Sequence, residues 1–308
     1  MSSKILVLGT SGFLGKHVKS LLEKENSDFF EIEGKSQVNL EKEDEIQSYL
    51  SQNKIEKIIN CSAFVGGISY GYKFPVEMLV TNTQMIINLY HAASRNEVRH
   101  IVNPISNCAY PGNLEVYKEE NFWEGPPHSS VFYYGISRRN TVAVANSFKE
   151  QYAIETSNVV MSNMYGPRDH FDIDRSHALG ALVKKVCDAK LNNENEIEIW
   201  GTGEPVREWL YVEDGARALI KSLDIKEPHQ LFNVGINEGI SIKQLSEKIS
   251  SEAGWSGEFR FDTSKPDGTM LKLLDISKIK SLGWNPKIKI REGIRKAIKE
   301  IEKFDWEK

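Results

Sequence analysis

The chain has 308 residues, too many for one small core and enough for a large domain or for two unequal lobes. It is 40% hydrophobic and 27% charged with a net charge of −4, a balance that gives no reason to expect nucleic-acid binding. No apolar run approaches the roughly 20 residues that span a bilayer, and no charged segment followed by a hydrophobic one marks a secretory leader, so no membrane partner is expected.

Ile5–Leu8 is a short apolar run that reads as a buried strand. Behind it, Leu14, Val18, Leu21 and Leu22 recur at helical spacing. Phe29–Glu33, Ile58–Asn60, Ile101–Pro104 and Thr156–Met161 read as further strands. Pro75–Arg95 and Tyr134–Gln151 are long helical patterns between them. This alternation predicts an α/β fold: a doubly wound parallel sheet with helices on both faces. It weakens beyond about Gly166. Ala178–Leu191, Glu196–Trp200, Val212–Leu223, Ser241–Ala253 and Ile290–Phe304 then read as a smaller lobe, interleaved with the first. The expected division is a dinucleotide-binding lobe over residues 1–165 plus about 212–234, and a substrate lobe over 166–211 and 235–308. Cys61, Cys108 and Cys187 are widely spaced, form no metal-binding or redox pair, and fit a reducing cytoplasm; no metal is expected.

Gly9-Thr-Ser-Gly12-Phe-Leu-Gly15 lies between the first strand and the first helix. Glycines there permit a tight turn and let the backbone approach a pyrophosphate, and the helix N-terminus offers free N–H groups to it. In that position the motif predicts a Rossmann-type site, with Gly9, Ser11, Gly12, Phe13, Leu14 and Gly15 around the cofactor. Glu33, at the end of the second strand, is placed to bind the adenosine ribose hydroxyls and to repel a 2′-phosphate. Lys35 and Ser36 just beyond it are placed to receive one. The carboxylate favours NAD(H), with NADP(H) as the alternative.

Tyr134 and Arg138 are one helical turn apart and share a face. A phenol ionises near pH 10 and is a poor acid or base at neutrality until a nearby cation draws that value down. Arg138 is expected to do this and to touch the cofactor ribose, where Lys is the usual cation.

Further segments carry a resemblance: Asn60-Cys-Ser-Ala-Phe-Val-Gly-Gly-Ile68, Ser106-Asn-Cys-Ala-Tyr-Pro111, Asn163-Met-Tyr-Gly-Pro167, Ser176-His177, Trp200-Gly-Thr-Gly-Glu-Pro-Val-Arg-Glu208 and Lys265-Pro-Asp-Gly268. With the glycine loop and Tyr134-Gly-Ile-Ser-Arg138, their order resembles that of the extended short-chain dehydrogenases/reductases, and within them the GDP-L-fucose synthases. The resemblance implies a nucleotide-sugar epimerase/reductase acting on a GDP-linked 4-keto sugar. Ser106 would hydrogen-bond the oxygen on C4, Tyr134 would exchange its proton, and Cys108 and His177 would move protons at the carbons next to the ketone. Ala63 falls among the cofactor contacts, and Asn163, Trp200, Arg207 and Lys272 among those to substrate. Three positions depart from the family: Arg138 replaces Lys, Glu33 stands where basic residues hold a 2′-phosphate, and Leu271 replaces an Arg. Two further readings stay open: an epimerase or dehydratase that retains NAD without net reduction, as GDP-mannose 3,5-epimerases do, and a non-catalytic nucleotide-sugar-binding protein. The family also implies a homodimer through Pro75–Arg95 and Tyr134–Gln151, with Met85, Leu89 and Val142 shared between core and interface.

Overall fold

The computed structural model describes residues 3–169, 178–225, 230–265, 267 and 269–306. Six strands form one sheet in the order Gln230–Val234, Glu155–Met161, His100–Ser106, Lys57–Asn60, Ile5–Leu8, Phe29–Ile32, and every pairing is parallel. Because side chains alternate along a strand, each strand feeds two cores. Leu6, Leu8, Ile58 and Ile101 point to one face, where helices Glu43–Asn53 and Asn82–Ser94 pack, together with part of the long helix Phe132–Tyr152. Val7, Ile59 and Val102 point to the other, beneath helices Phe13–Lys24 and Val212–Ser222. All seven side chains are fully buried. Each contributes about 1.5–3 kcal/mol by leaving water. The sheet is the doubly wound Rossmann type that the alternation predicts.

Leading out from Ile5–Leu8, the chain first adds Phe29–Ile32 on one side and then Lys57–Asn60 on the other. This reversal leaves a crevice outside the carboxyl ends of Ile5–Leu8 and Lys57–Asn60, where open α/β sheets bind ligands.

The remaining chain builds a third core. Helices Ala178–Leu191, Ile242–Ala253 and Ile290–Trp306 bury Leu179, Val183, Leu245, Ile249, Ile294 and Ile298 with Tyr165 and Trp209. Ser241 and Gln244 cap the middle helix reciprocally, and Gly254 ends it in the left-handed region at φ +66°. A small sheet runs Ile240–Ser241, Val206–Arg207, Leu271–Leu274, Val116–Tyr117. It joins a segment from early in the chain to three late ones.

Several elements differ from expectation. His100–Ser106 runs past Pro104, so Ser106 ends the strand itself. The second strand stops at Ile32, leaving Glu33 in the following loop. The continuous helix expected over Pro75–Arg95 is interrupted by a π turn at Glu77–Thr81. Leu89 and Val142 are fully committed to this chain's own cores, at 0% and 2% exposed, so neither is shared with a partner. No helix among the described residues is long and apolar enough to cross a membrane.

Two buried histidines set a pH dependence. His17 Nε2 lies 2.9 Å from the Pro167 carbonyl oxygen, and His100 Nε2 lies 2.9 Å from Ser157 Oγ. Burial lowers both pKa values from 6.5, holding the folded imidazoles neutral. Below 6.5 the unfolded chain therefore binds more protons, and stability falls as pH drops towards the folded-state values. Melting temperature is expected to fall with pH in that window. The fall should be shallower in His17→Gln and His100→Gln, and an unchanged slope in both would refute the assignment.

Candidate active site

Five adjacent parallel strands deliver their carboxyl ends to one edge of the sheet. Gly9 follows the first, Glu33 the second, Cys61–Ala63 the third, Ser106 ends the fourth, and Asn163 follows the fifth. Gly9 has φ +77°, and a side chain there would meet the Cys61 carbonyl at 3.0 Å. A Cβ on Gly15 would fall 2.0 Å from the Gly9 carbonyl oxygen. Glycine is therefore required at both for turn and helix to approach. Gly12 begins the helix without a side-chain cap, which leaves its N-terminal N–H groups open to an anion. Ser11 Oγ donates to the Glu33 carbonyl oxygen at 2.6 Å, tying the loop to the end of the second strand. The Glu33 side chain is exposed, as is Ala63. Lys35 is exposed and pairs with Glu41 at 2.7 Å. Cys61 lies under the loop, and burial pushes its thiol pKa up to about 12, so it stays a neutral packing group.

The loop after the third strand is held by a residue the sequence reading missed. Asn82 Oδ1 accepts from Phe64 N–H and Asn82 Nδ2 donates to the Phe64 carbonyl, both at 2.9 Å. The same amide donates to the Met78 carbonyl within the π turn at 2.9 Å.

Ser106 and Cys108 are brought together by a one-turn 3₁₀ helix, Asn107–Ala109. Ser106 Oγ accepts from the Cys108 N–H at 3.2 Å, which leaves the hydroxyl proton to donate elsewhere. Tyr134 is in the first turn of Phe132–Tyr152. Gly135 lets that turn approach, since a Cβ there would lie 2.5 Å from the Cys108 carbonyl oxygen. Arg139, also missed, donates from Nε to the Ala109 carbonyl at 2.6 Å and ties a later turn of the long helix to the same 3₁₀ helix.

Arg138 is 6% exposed. Its guanidinium carbon lies over the Tyr134 ring, 5.2 Å from the centroid, within cation–π range. Burial is the dominant influence on the phenol and raises its pKa above the ordinary 10.0; Arg138 pulls it down and Cys108 pushes it up. The expected net lowering is thus corrected: Arg138 acts in the expected direction, but burial of the phenol outweighs it.

Arg207 and Lys272 are register partners on neighbouring parallel strands. Tyr117 lies on the strand paired with the other side of Leu271–Leu274, and both Lys272 and Tyr117 feel the charges of Cys108 and Arg207. Burial holds the Lys272 pKa below its usual 10.5, Cys108 opposes this and Arg207 reinforces it. Trp200 is 69% exposed and is therefore not a core residue; Lys265 Nζ sits 5.4 Å from its ring centroid. Asp267 accepts from Thr202 N–H at 2.9 Å and from Thr202 Oγ1 at 2.6 Å, joining the two loops. Asn163 is half-buried, paired in register with Trp209. Ser176 and His177 lie outside the described residues. Among the described residues no group of His, Cys, Asp and Glu could hold a metal ion.

A parallel sheet with a glycine turn at its switch point, and a Ser, a Tyr and a buried cation around the same crevice, defines a Rossmann-type protein of the extended short-chain dehydrogenase/reductase class. Residues 5–235 match the family model described as NAD dependent epimerase/dehydratase family. GDP-L-fucose synthase 1 of Arabidopsis thaliana is 30% identical over 306 residues, 99% of this chain and 93% of the plant protein. GDP-L-colitose synthase of Yersinia pseudotuberculosis is 32% identical over 298 residues, 96% of each. A GDP-mannoheptose C4 reductase from Campylobacter jejuni, solved with NADP bound, superposes with a TM-score of 0.88 at 26% identity over 98% of both chains. The chain belongs to the NAD dependent epimerase/dehydratase family.

Proposed function

We propose that this protein is an NADP(H)-dependent epimerase/reductase of a GDP-linked 4-keto sugar. The observation that carries the reading is the convergence of Ser106, Cys108, Tyr134 and Arg138 at the edge of the glycine cradle. Gly9, Gly12 and Gly15 fit a pyrophosphate because a Cβ at the first and last would fill the space the backbone uses. The reduced nicotinamide, when bound there, supplies the hydride that C4 receives. Ser106 donates its free hydroxyl proton to the C4 oxygen and orients it. Tyr134 delivers a proton to that oxygen, Arg138 lies over the phenol ring, and Arg138 would be the residue to hold the cofactor ribose. Cys108, with His177, moves protons at C3 and C5, which the ketone acidifies. Arg207 and Lys272 receive the diphosphate, with Trp200 and Asn163 as further substrate contacts.

The preference for NAD(H) drawn from Glu33 gives way to NADP(H), the form bound to the heptose reductase. Glu33 lies beyond the strand end with its carbonyl committed to Ser11. The Lys35–Glu41 pair is an exposed ion pair, worth about 0–1 kcal/mol, so a doubly charged phosphate can displace Glu41. Incubation with GDP-4-keto-6-deoxy-mannose in D2O tests the reading. It predicts loss of reduced-nicotinamide absorbance with NADPH, more slowly with NADH, and deuterium at C3 or C5. Neither absorbance loss nor exchange would refute it. Exchange without absorbance loss would favour an epimerase that retains its cofactor, the reading suggested by Arg138 lying over the ring where the family has Lys.

The functional unit proposed is a cytoplasmic homodimer. Val76 and Val80, exposed in the segment Pro75–Arg95, and Phe132 and Tyr133, exposed at the start of the helix that continues into Tyr134–Gln151, would form its apolar contact. Light scattering at micromolar concentration should give twice the mass of the chain, and a monomer would remove the claim.

A further inference from the structure

We propose that Glu208 is a positioning residue for nucleotide binding, its buried carboxylate fixing the strands that carry Arg207 and Lys272 against the edge of the parallel sheet. The proposal rests on the GDP-sugar reading above. The pairing of Val206–Arg207 with Leu271–Leu274 ends at Lys272. On the other side Leu273 and Asp275 donate to the Glu115 and Tyr117 carbonyls at 3.0 and 2.9 Å. Successive N–H groups of a strand alternate in direction, so Leu274 N–H faces the side where the neighbouring strand has already stopped. Glu208 Oε2 accepts it at 2.8 Å and takes the place of the missing strand.

The other oxygen reaches the large sheet. Glu208 Oε1 accepts from Asn237 N–H at 2.7 Å and from Ile236 N–H. Both residues follow Gln230–Val234, the sheet's edge strand. The backbone there has made room: a Cβ on Gly235 would lie 2.1 Å from Oε1, and Asn237 adopts φ +55°, a conformation Asn tolerates. The carboxylate is 1% exposed and has no cationic partner among the described residues. Three backbone N–H groups from two segments are all that offset its burial, which is the geometry of a clip.

The clip bears on the cleft through its neighbours. Arg207 precedes Glu208 directly. Lys272 lies two residues before Leu274 and so shares a strand face with it. Arg207 and Lys272 stand side by side, partly buried, and neither meets a carboxylate in an ion pair among the described residues. Adjacent like charges repel and would splay apart unless their backbones were fixed. An anion such as a diphosphate, contacting both, stabilises them together. Glu208→Gln keeps the shape but leaves one good acceptor for three donors, and sets an NH2 group against an N–H.

GDP and NADPH are the probes, by calorimetric titration. Glu208→Gln is expected to weaken GDP binding about ten-fold or more and to leave NADPH binding within about two-fold. Arg207→Ala should weaken GDP binding by itself. In the Arg207→Ala background Glu208→Gln should cost far less than alone, because contacting residues couple. Wild-type GDP affinity in folded Glu208→Gln, or fully additive effects with Arg207→Ala, overturns the proposal. If Glu208→Gln shows no cooperative melt, Gly235→Ala, which crowds the carboxylate without removing it, should give the same selective loss of GDP. Equal loss of both ligands, or failure of both variants to fold, assigns Glu208 to stability alone. Absence of GDP binding by the wild type refutes the GDP-sugar reading itself.

Discussion

Tyr134→Phe is expected to lower reduction of a 4-keto sugar by about 10²–10⁴-fold, the range over which a positioned proton donor acts. KM should change little, because the ring and its cation–π contact with Arg138 survive. The direction of the phenol's shift makes a second expectation. Burial raises the Tyr134 pKa above 10.0, so the group is protonated throughout the neutral range. Reduction needs the protonated donor and should be flat with pH near neutrality. The reverse oxidation needs the phenolate and should rise with pH until it passes the raised value. Arg138→Met removes the one influence that lowers the pKa and should move the oxidation limb to still higher pH. Equal pH profiles for wild type and Arg138→Met would show that Arg138 acts only by packing. Arg138→Lys separates two histories of the site: a strong gain in reduction marks a handicapped reductase, and no gain marks a site adapted to the guanidinium.

Cys108→Ser should act on the other half of the chemistry. Deuterium uptake at C3 and C5 is expected to fall by about 10²–10⁴-fold, since a cysteine can supply a thiolate base near neutral pH and a serine hydroxyl does not ionise there. Tyr134→Phe should leave that exchange within a few-fold of wild type. The two substitutions thus cross: one stops exchange, the other stops hydride consumption. Exchange that survives Cys108→Ser but vanishes in Tyr134→Phe would reverse the assignments of both residues.

The parts of this geometry that were legible beforehand are local ones. Gly9–Gly15 announces itself because a turn and a helix that meet this closely exclude Cβ, whatever the rest of the chain does. Tyr134 and Arg138 share a face because helical spacing places them so. The strand Ile5–Leu8 shows as an apolar run because both of its faces are covered. What the sequence hid depends on distant partners. Val116–Tyr117 is two residues long and has no period to read; it is a strand because Leu271–Leu274 lies beside it. Asn82 and Glu208 look like ordinary surface polar residues until the Phe64 backbone and the 236–237 and Leu274 N–H groups arrive. Tyr134 was misjudged for another reason. Helical spacing says that a cation is near the ring, but not how deeply the phenol is buried, and burial decides the direction.

The position of Gln230–Val234 in the large sheet bears on how the molecule is made. A ribosome delivers Glu155–Met161, whose Val159 and Val160 are fully buried in the finished sheet, long before the strand that closes its open edge. In between it must release Ala178–Leu191, Glu196–Trp200 and Val212–Ser222. Throughout that interval the nascent chain presents an unpaired row of backbone N–H and C=O groups beside an apolar surface, the template on which chains aggregate. Premature termination anywhere before residue 230 leaves that edge open permanently. Aggregation through this edge is therefore a hazard of the unfinished chain, one that the arrival of residues 230–234 removes.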